Sequence, residues 1–314
     1  MDIIKELSNS KKIAISGHIS PDGDSIGSCI AMTLYLRKIL KDADIRLFLE
    51  EIPECFKGID GYEIIDSTYE GMEPDAYILL DAGPERMGSG EKLYKKAKLR
   101  INIDHHLSNE NGSGDINYID INASSAAEMV YRLMDPSYLD KTIASWLYLA
   151  IAHDTGVFKY PATTPETMRI IARLMEEGIN CQYLLDRTFY EKTYAQNVAC
   201  ARIVLSSKTY FDGKVIIGSI SRKEMTENNI VKNDFEGVIN QLRITSGVEV
   251  AIFMYPMNDS TIKVSLRSKE KVNVAKISEA FGGGGHKRAA GFYHKDSEED
   301  IRKKLLELLA LEEL

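Results

Sequence analysis

The sequence predicts an α/β protein in two parts: an N-terminal α/β domain built on a parallel sheet, and a smaller C-terminal α+β domain. Three observations point there. Short apolar runs alternate with segments of helical period over the first hundred or so residues, the pattern turns helical between 120 and 185, and strand-like runs followed by a glycine cluster and a long final helix fill the region after 204.

The runs "KIAIS" (12–16), "DIRLFLE" (44–50), "AYILLD" (76–81) and "LRINID" (99–104) read as strands. Between the first two, "SIGSCIAMTLYLRKILKD" places Ile26, Ile30, Leu34, Leu36, Ile39 and Leu40 at near-helical spacing. That alternation is expected of a parallel sheet with crossover helices. Four helical segments follow, "SAAEMVYRLMD", "TIASWLYLAIAHD", "TPETMRIIARLMEEG" and "NCQYLLDRTF", the third opening on threonine, proline and glutamate, a good helix start. The stretch 186–203 reads as a linking helix, which leaves 1–185 for the first domain and 204–314 for the second. In the second, "KVIIGSI", "VEVAIFMYP" and "TIKVSLRS" read as strands and "SEEDIRKKLLELLALEEL" as the closing helix.

Composition bounds the function. With 314 residues, 44% hydrophobic and 27% charged, the chain has a globular composition. A formal net charge of −8 argues against tight binding of long nucleic acid, which many lysine and arginine contacts to phosphates drive, yet leaves room for a small phosphorylated ligand. The N-terminus lacks the pattern of a secretory signal, and the most apolar stretch, "IASWLYLAIA", is shorter than the about 20 residues a bilayer span needs. Cys29, Cys55, Cys181 and Cys200 stand far apart with no C-x-x-C pair. These features predict a reduced, cytoplasmic protein with no membrane association. They leave a homodimer open.

Three of the N-terminal strand candidates deliver ligand-type side chains at their carboxyl ends. "KIAIS" leads to His18, Asp22 and Asp24, "AYILL" to Asp81, and "LRINI" to Asp104, His105 and His106. Ligands of open α/β sheets bind outside the carboxyl ends of the strands, so these residues are expected to converge, joined by Asp154 from the end of a helical segment. Taken singly, "PDGD" is an ordinary turn and His18 or His153 an ordinary polar residue. Joint placement after successive strands predicts a metal pocket. Carboxylates and imidazoles without thiolates suit manganese, magnesium or zinc, and six candidate ligands suit two ions better than one.

The motifs "GHISPDGDSIGS", "LLDAG", "IDHH" and "AHDTG", in this order, resemble those of the DHH phosphoesterase superfamily over essentially the whole chain. The resemblance implies a DHH domain with one ion held by His18, Asp22 and Asp81 and the other by Asp24, Asp81, His105 and Asp154. It further implies that Asp104 orients a metal-binding imidazole, that His106 faces the substrate phosphate, and that the active site lies in the cleft between the domains. Manganese is the cofactor it favours, with magnesium or another divalent cation as the alternative.

In the second domain, "GGGGHKRAAGF", preceded by "IKVSLRS", resembles the DHH-associated domain of the oligoribonuclease and pAp phosphatase branch. Substrate binding is therefore expected from Arg267, Gly283, Gly284, Gly285, His286 and Arg288. Glycine lets a backbone approach a ligand closely, and arginine suits bidentate phosphate binding. No segment is left for the oligonucleotide-binding domain of RecJ-type exonucleases. The expected substrates are short oligoribonucleotides and 3'-phosphoadenosine 5'-phosphate, with cyclic di-AMP or pApA as a close alternative. A non-catalytic nucleotide sensor is the reading of a different class, and the intact ligand set argues against it.

Overall fold

The computed structural model describes residues 2–314 and falls into two compact units, the first ending at Glu191 and the second running from Lys192 to Leu314. The first contains β1 (Lys12–Ser16), β2 (Asp44–Phe48), β3 (Ile65–Asp66), β4 (Ala76–Leu80), β5 (Leu99–Asp104) and β6 (Ile116–Ile119). Its helices are α1 (Ile3–Glu6), α2 (Gly23–Ile39), α3 (Glu91–Lys96), α4 (Ala126–Leu133), α5 (Lys141–Asp154), α6 (Pro165–Met175) and α7 (Cys181–Leu185). The six strands form one parallel sheet in the order β3-β2-β1-β4-β5-β6.

Both faces of this sheet are covered, which explains why its strands read as continuous apolar runs. Ile13, Ile15, Ile78 and Leu80 join the large core with α2, α4 and α5, while Ala14, Phe48, Tyr77 and Leu79 pack on the other side with Leu93 and Tyr94. Helices α2 and α5 press together at Gly27, where a Cβ would stand 2.5 Å from the Trp146 carbonyl oxygen. The strand order reverses between β1 and β4, and a crevice outside the strand ends is built at such a reversal. His18 follows β1 and Asp81 follows β4, so the topology brings their loops side by side.

The second unit contains β7 (Lys208–Tyr210), β8 (Val215–Ser219), β9 (Val250–Asn258), β10 (Thr261–Ser268), β11 (Gly284–His286) and β12 (Ala289–His294). Its helices are α8 (Tyr194–Ser206), α9 (Arg222–Glu227), α10 (Val238–Arg243), α11 (Val274–Glu279) and α12 (Glu298–Leu309). The sheet order is β11-β12-β10-β9-β8-β7, antiparallel except for the β8–β9 pair. Alternation along β9 feeds two cores: Val250, Ile252 and Met254 pack with α11 and α12, and Ala251, Phe253 and Tyr255 pack with α8 and α10.

Two segments differ from the sequence reading. The stretch 186–203 is not one linking helix: Asp186–Tyr190 forms a π-helical turn closing the first unit, and α8 buries Ala199 and Ile203 in the core of the second. The glycine cluster is an edge strand. Gly284–His286 pairs with β12, and glycine is demanded at two positions by packing, because a Cβ at Gly283 would lie 2.4 Å from Phe292 Cβ and one at Gly285 would lie 2.5 Å from the Ala289 carbonyl oxygen. Gly282 and Gly284 face open space.

A single carboxylate braces the chain beyond β10. Glu249 is 8% exposed and accepts the backbone N–H groups of Glu270, Lys271 and Val272, at 3.1, 2.6 and 3.0 Å to Oε1. Burial alone would raise its pKa, but these three donors, with Arg288 nearby, hold it below the ordinary value. A depressed carboxylate adds stability that is complete above its unfolded pKa of 4.5 and fades as the pH falls through the folded value. Glu249→Gln is therefore expected to lower unfolding stability by about 1–2 kcal/mol at pH 7, with the gap to the parent closing under acid conditions. Urea melts at neutral and acid pH measure this; an equal gap at both would rule out an ionised brace.

Candidate metal centre

The turn after β1 is shaped by close contacts. Gly17 has no room for a Cβ, which would fall 1.9 Å from Ser25 Oγ, and that hydroxyl accepts the His18 N–H at 3.2 Å. Asp22 caps α2, its Oδ1 accepting the N–H groups of Asp24 and Ser25 at 3.1 and 3.2 Å. His18 Nδ1 lies 2.7 Å from the Ile19 carbonyl, so Nδ1 carries the proton and Nε2 is turned toward Asp22 Oδ2 (3.7 Å) and Asp81 Oδ2 (3.5 Å).

Asp81 stands in the middle. Its backbone is left-handed, with φ of 58°, a conformation that side-chain-bearing residues other than asparagine and aspartate seldom adopt. While Oδ2 faces His18, Oδ1 lies 3.4 Å from His105 Nε2 and 3.5 Å from His106 Nδ1. His105 Nε2 is also 3.7 Å from Asp24 Oδ2 and 3.6 Å from Asp154 Oδ2. His18, Asp22 and Asp81 thus offer ligand atoms within 4.8 Å of one another, as do Asp24, His105 and Asp154, and a third trio comprises Asp81, His105 and His106.

The donor set fits cations. Asp81 Oδ1 and His105 Nε2 are buried without any hydrogen-bond partner, and buried polar atoms are left so only where something else satisfies them. In the protein alone, histidine supplies the missing positive charge. Burial opposes the imidazolium at His18 and His105, but the surrounding aspartates outweigh it and push each up to about 10. Burial and neighbouring carboxylates raise Asp24 well above its usual range and Asp154 to about 6, whereas the solvent-exposed Asp22, against some desolvation beside the cluster, is drawn down to about 2 by His18 and the N–H groups of Ser25 and Asp24. Asp24 also serves the fold, for its two oxygens accept the N–H groups of Ala126 (2.6 Å) and Ala127 (3.0 Å) at the start of α4.

Asp104 takes a different partner from the one expected. Its Oδ1 accepts the N–H groups of His105 (2.8 Å) and His106 (3.1 Å) and pairs at 2.8 Å with the ring Nδ1 of His106, not with the ring of His105. Burial would raise the Asp104 pKa, but the His106 and Asn109 contacts lower it, and the hydrogen bond to Asp104 raises His106. The sequence reading missed Asn109 and Asn102. Asn109 Nδ2 donates to Asp104 Oδ2 at 2.7 Å and to Asn102 Oδ1 at 2.8 Å, and Asn102 in turn donates to the carbonyls of Leu79 and Ala82 around Asp81. A polar residue set between the buried Ile101 and Ile103 of β5 was the available signal for Asn102.

His153 is no ligand in this arrangement. Its Nε2 lies 2.9 Å from Thr188 Oγ1, its ring packs against Phe56 and Phe189, and burial pushes it down to about 4. The ring fills the space beside Gly23, where a Cβ would come within 2.3 Å of His153 Cγ.

The expected substrate-binding residues gather in the second unit. Cross-strand register sets His286 opposite Ala289 and Ala289 opposite Arg267, in one row across β11, β12 and β10. Arg288 is half-buried with Nη1 3.4 Å from the Val272 carbonyl. Gly283, Gly284 and Gly285 lead into that row.

Comparisons with known proteins agree with this division. Residues 12–151 match the DHH family, N-terminal domain, and residues 212–311 the DHHA1 domain. The bifunctional oligoribonuclease and PAP phosphatase NrnA of Thermus thermophilus is 29% identical over 283 residues, covering 89% of this chain and 83% of that protein. The cyclic-di-AMP phosphodiesterase GdpP of Bacillus subtilis is 27% identical over 91% of this chain and 45% of its own length. The crystal structure of an exopolyphosphatase-related protein from Bacteroides fragilis superposes with a TM-score of 0.86 at 25% identity, covering 98% of this chain and 94% of that one. A DHH domain followed by a DHHA1 domain, on the two sheets described above, makes the chain a member of the DHH family.

Proposed function

We propose that the protein is a two-metal phosphoesterase that hydrolyses short oligoribonucleotides and 3'-phosphoadenosine 5'-phosphate, with manganese as its preferred cation. The observation that carries this reading is the unpartnered pair Asp81 Oδ1 and His105 Nε2, buried at the meeting point of two ligand trios. His18, Asp22 and Asp81 would hold one cation, and Asp24, His105 and Asp154, with Asp81 beside them, would hold the other. Such a pair of ions, when bound, activates a water for attack and neutralises charge growing on the phosphoryl oxygens.

The protein's own residues do the rest. Asp104, fixed by Asn109 and two backbone N–H groups, holds the His106 ring by Nδ1 and favours its charged form. The half-exposed His106 side chain then has Nε2 free to hold a substrate phosphate or to give a proton to the leaving oxygen. In the second unit Arg267, His286, Arg288 and the Gly283–Gly285 backbone hold the nucleotide. No helix among the described residues is long and apolar enough to cross a membrane. The likeness to the cyclic-di-AMP phosphodiesterase supports cyclic di-AMP or pApA as the second reading of the same chemistry.

Three outcomes are expected. Manganese at about 100 times its dissociation constant raises unfolding stability by about 2.7 kcal/mol; Asp81→Asn, which tolerates the left-handed backbone, abolishes that gain, and a calorimetric shift equal to the parent's would refute the ligand role. His106→Ala keeps its manganese by elemental analysis but loses about 10²–10⁴ in turnover; undiminished turnover removes His106 from the mechanism. A manganese-supplemented panel of di- to pentaribonucleotides, pAp, pApA, cyclic di-AMP and pyrophosphate, with Asp81→Ala as control, shows fastest release from the short ribonucleotides and pAp. Rapid release from pyrophosphate alone would overturn the substrate assignment.

A further inference from the structure

Asp24 is aimed by a helix. Both of its oxygens are engaged at the start of α4, Oδ2 by the Ala126 N–H at 2.6 Å and Oδ1 by the Ala127 N–H at 3.0 Å. A carboxylate oxygen has two lone pairs, and an N–H that takes one of them fixes where the other points. Whatever holds the first turn of α4 in place therefore holds Asp24, whose own exposure is 2%.

That turn is gripped by a buried charge. Ser125 caps α4, its Oγ accepting the Glu128 N–H at 3.1 Å. Ser125 and Glu128 have the spacing of a capping box, in which the glutamate side chain returns to the N–H of the cap. Glu128 turns elsewhere. It is fully buried, and its Oε2 accepts the hydroxyl of Ser124 and, at 2.7 Å, that of Thr167 in the first turn of α6. Its Oε1 accepts Arg132 Nη2 from one turn along α4. Arg132 gives its other nitrogens to Asp120 Oδ2 (2.7 Å) and Glu166 Oε1 (3.1 Å). One ion pair thus ties α4 to the turn after β6 and to the start of α6.

Stability is a poor account of such a pair. Desolvating two charges costs about as much as their attraction returns, and apolar replacements are often neutral or better. What the pair adds is direction, because the planar guanidinium sends each nitrogen along a fixed bearing and here all three meet carboxylates on different parts of the chain.

We propose that Glu128 and Arg132 are positioning residues for the metal centre, fixing the first turn of α4 so that Ala126 and Ala127 aim Asp24 at the cation it would hold with His105 and Asp154. What Asp24 binds rests on the two-cation reading; what orients it follows from the fold.

The test uses the full chain, Arg132→Lys, and the double variant Glu128→Gln with Arg132→Met, which leaves no unpaired buried charge. Manganese is titrated by calorimetry into protein stripped with EDTA, and Asp24→Asn marks which of the two binding steps belongs to its site. The double variant is expected to weaken that step about 10–100-fold, the range for losing the support of a metal ligand, and to leave the other step unchanged. Arg132→Lys, which keeps the charge without the three-way fork, is expected to weaken the same step by less. A merely structural pair predicts lower stability in urea with both steps as in the parent. In EDTA, the amides of Ala126 and Ala127 are expected to exchange at least about tenfold faster in the double variant. An unchanged Asp24 step in the double variant, or in Arg132→Lys should the double variant not fold, overturns the positioning role, as does equal weakening of both steps or exchange as slow as the parent's. If the parent binds fewer than two manganese ions while those two amides respond, the positioning role stands and the two-cation reading fails. Two-step binding that no variant at 128 or 132 disturbs removes the positioning role and leaves the two-cation reading standing.

Discussion

The arrangement of the first unit depends on where one carboxylate is held. Asp81 stands one residue beyond β4, and its N–H donates to the Ile103 carbonyl at 3.0 Å, so pairing with β5 continues past the strand and fixes the backbone just where the side chain turns. A non-glycine residue in the left-handed region costs about 1–2 kcal/mol, which the surrounding ladder sustains. Only a strand with β1 on one side and β5 on the other can set a single carboxylate against both His18 and His105. The parallel sheet order is thus part of the site's chemistry.

The two units handle buried charge differently behind a formal charge of −8. In the first, Asp22, Asp24, Asp81 and Asp154 crowd around His18 and His105, and the imidazoles hold protons against burial because the carboxylates demand positive charge. In the second, Glu249 directs its charge at backbone N–H groups. The charge of Glu249 is answered within the fold, whereas the crowding in the first unit is that of a functional site.

Much of this was legible in the sequence for a physical reason. Strands buried on both faces declare themselves as apolar runs, which is why the first four candidates appear at their expected places, and a strand end followed by histidine or aspartate marks the crevice side of the sheet. The short or half-exposed strands escaped: β3 has two residues, and "INYI" of β6 lies on the sheet's edge with intermediate burial. Glycine masked β11, since a glycine run reads as a turn whether its small size serves a loop or a tight strand contact. Asp104 was identifiable as a histidine partner, but which ring it holds is set by the turn after β5.

The contact between Gly23 and His153 has a consequence for how relatives of this chain can vary. The ring beside Asp154 occupies the volume that any larger residue at position 23 would need, and it is itself wedged by Phe56, Phe189 and Thr188. Positions 23 and 153 therefore form a lock and key in lineage terms: a side chain can be gained at the first only after the second has shrunk. The order of substitutions is constrained even where each final pair would fold.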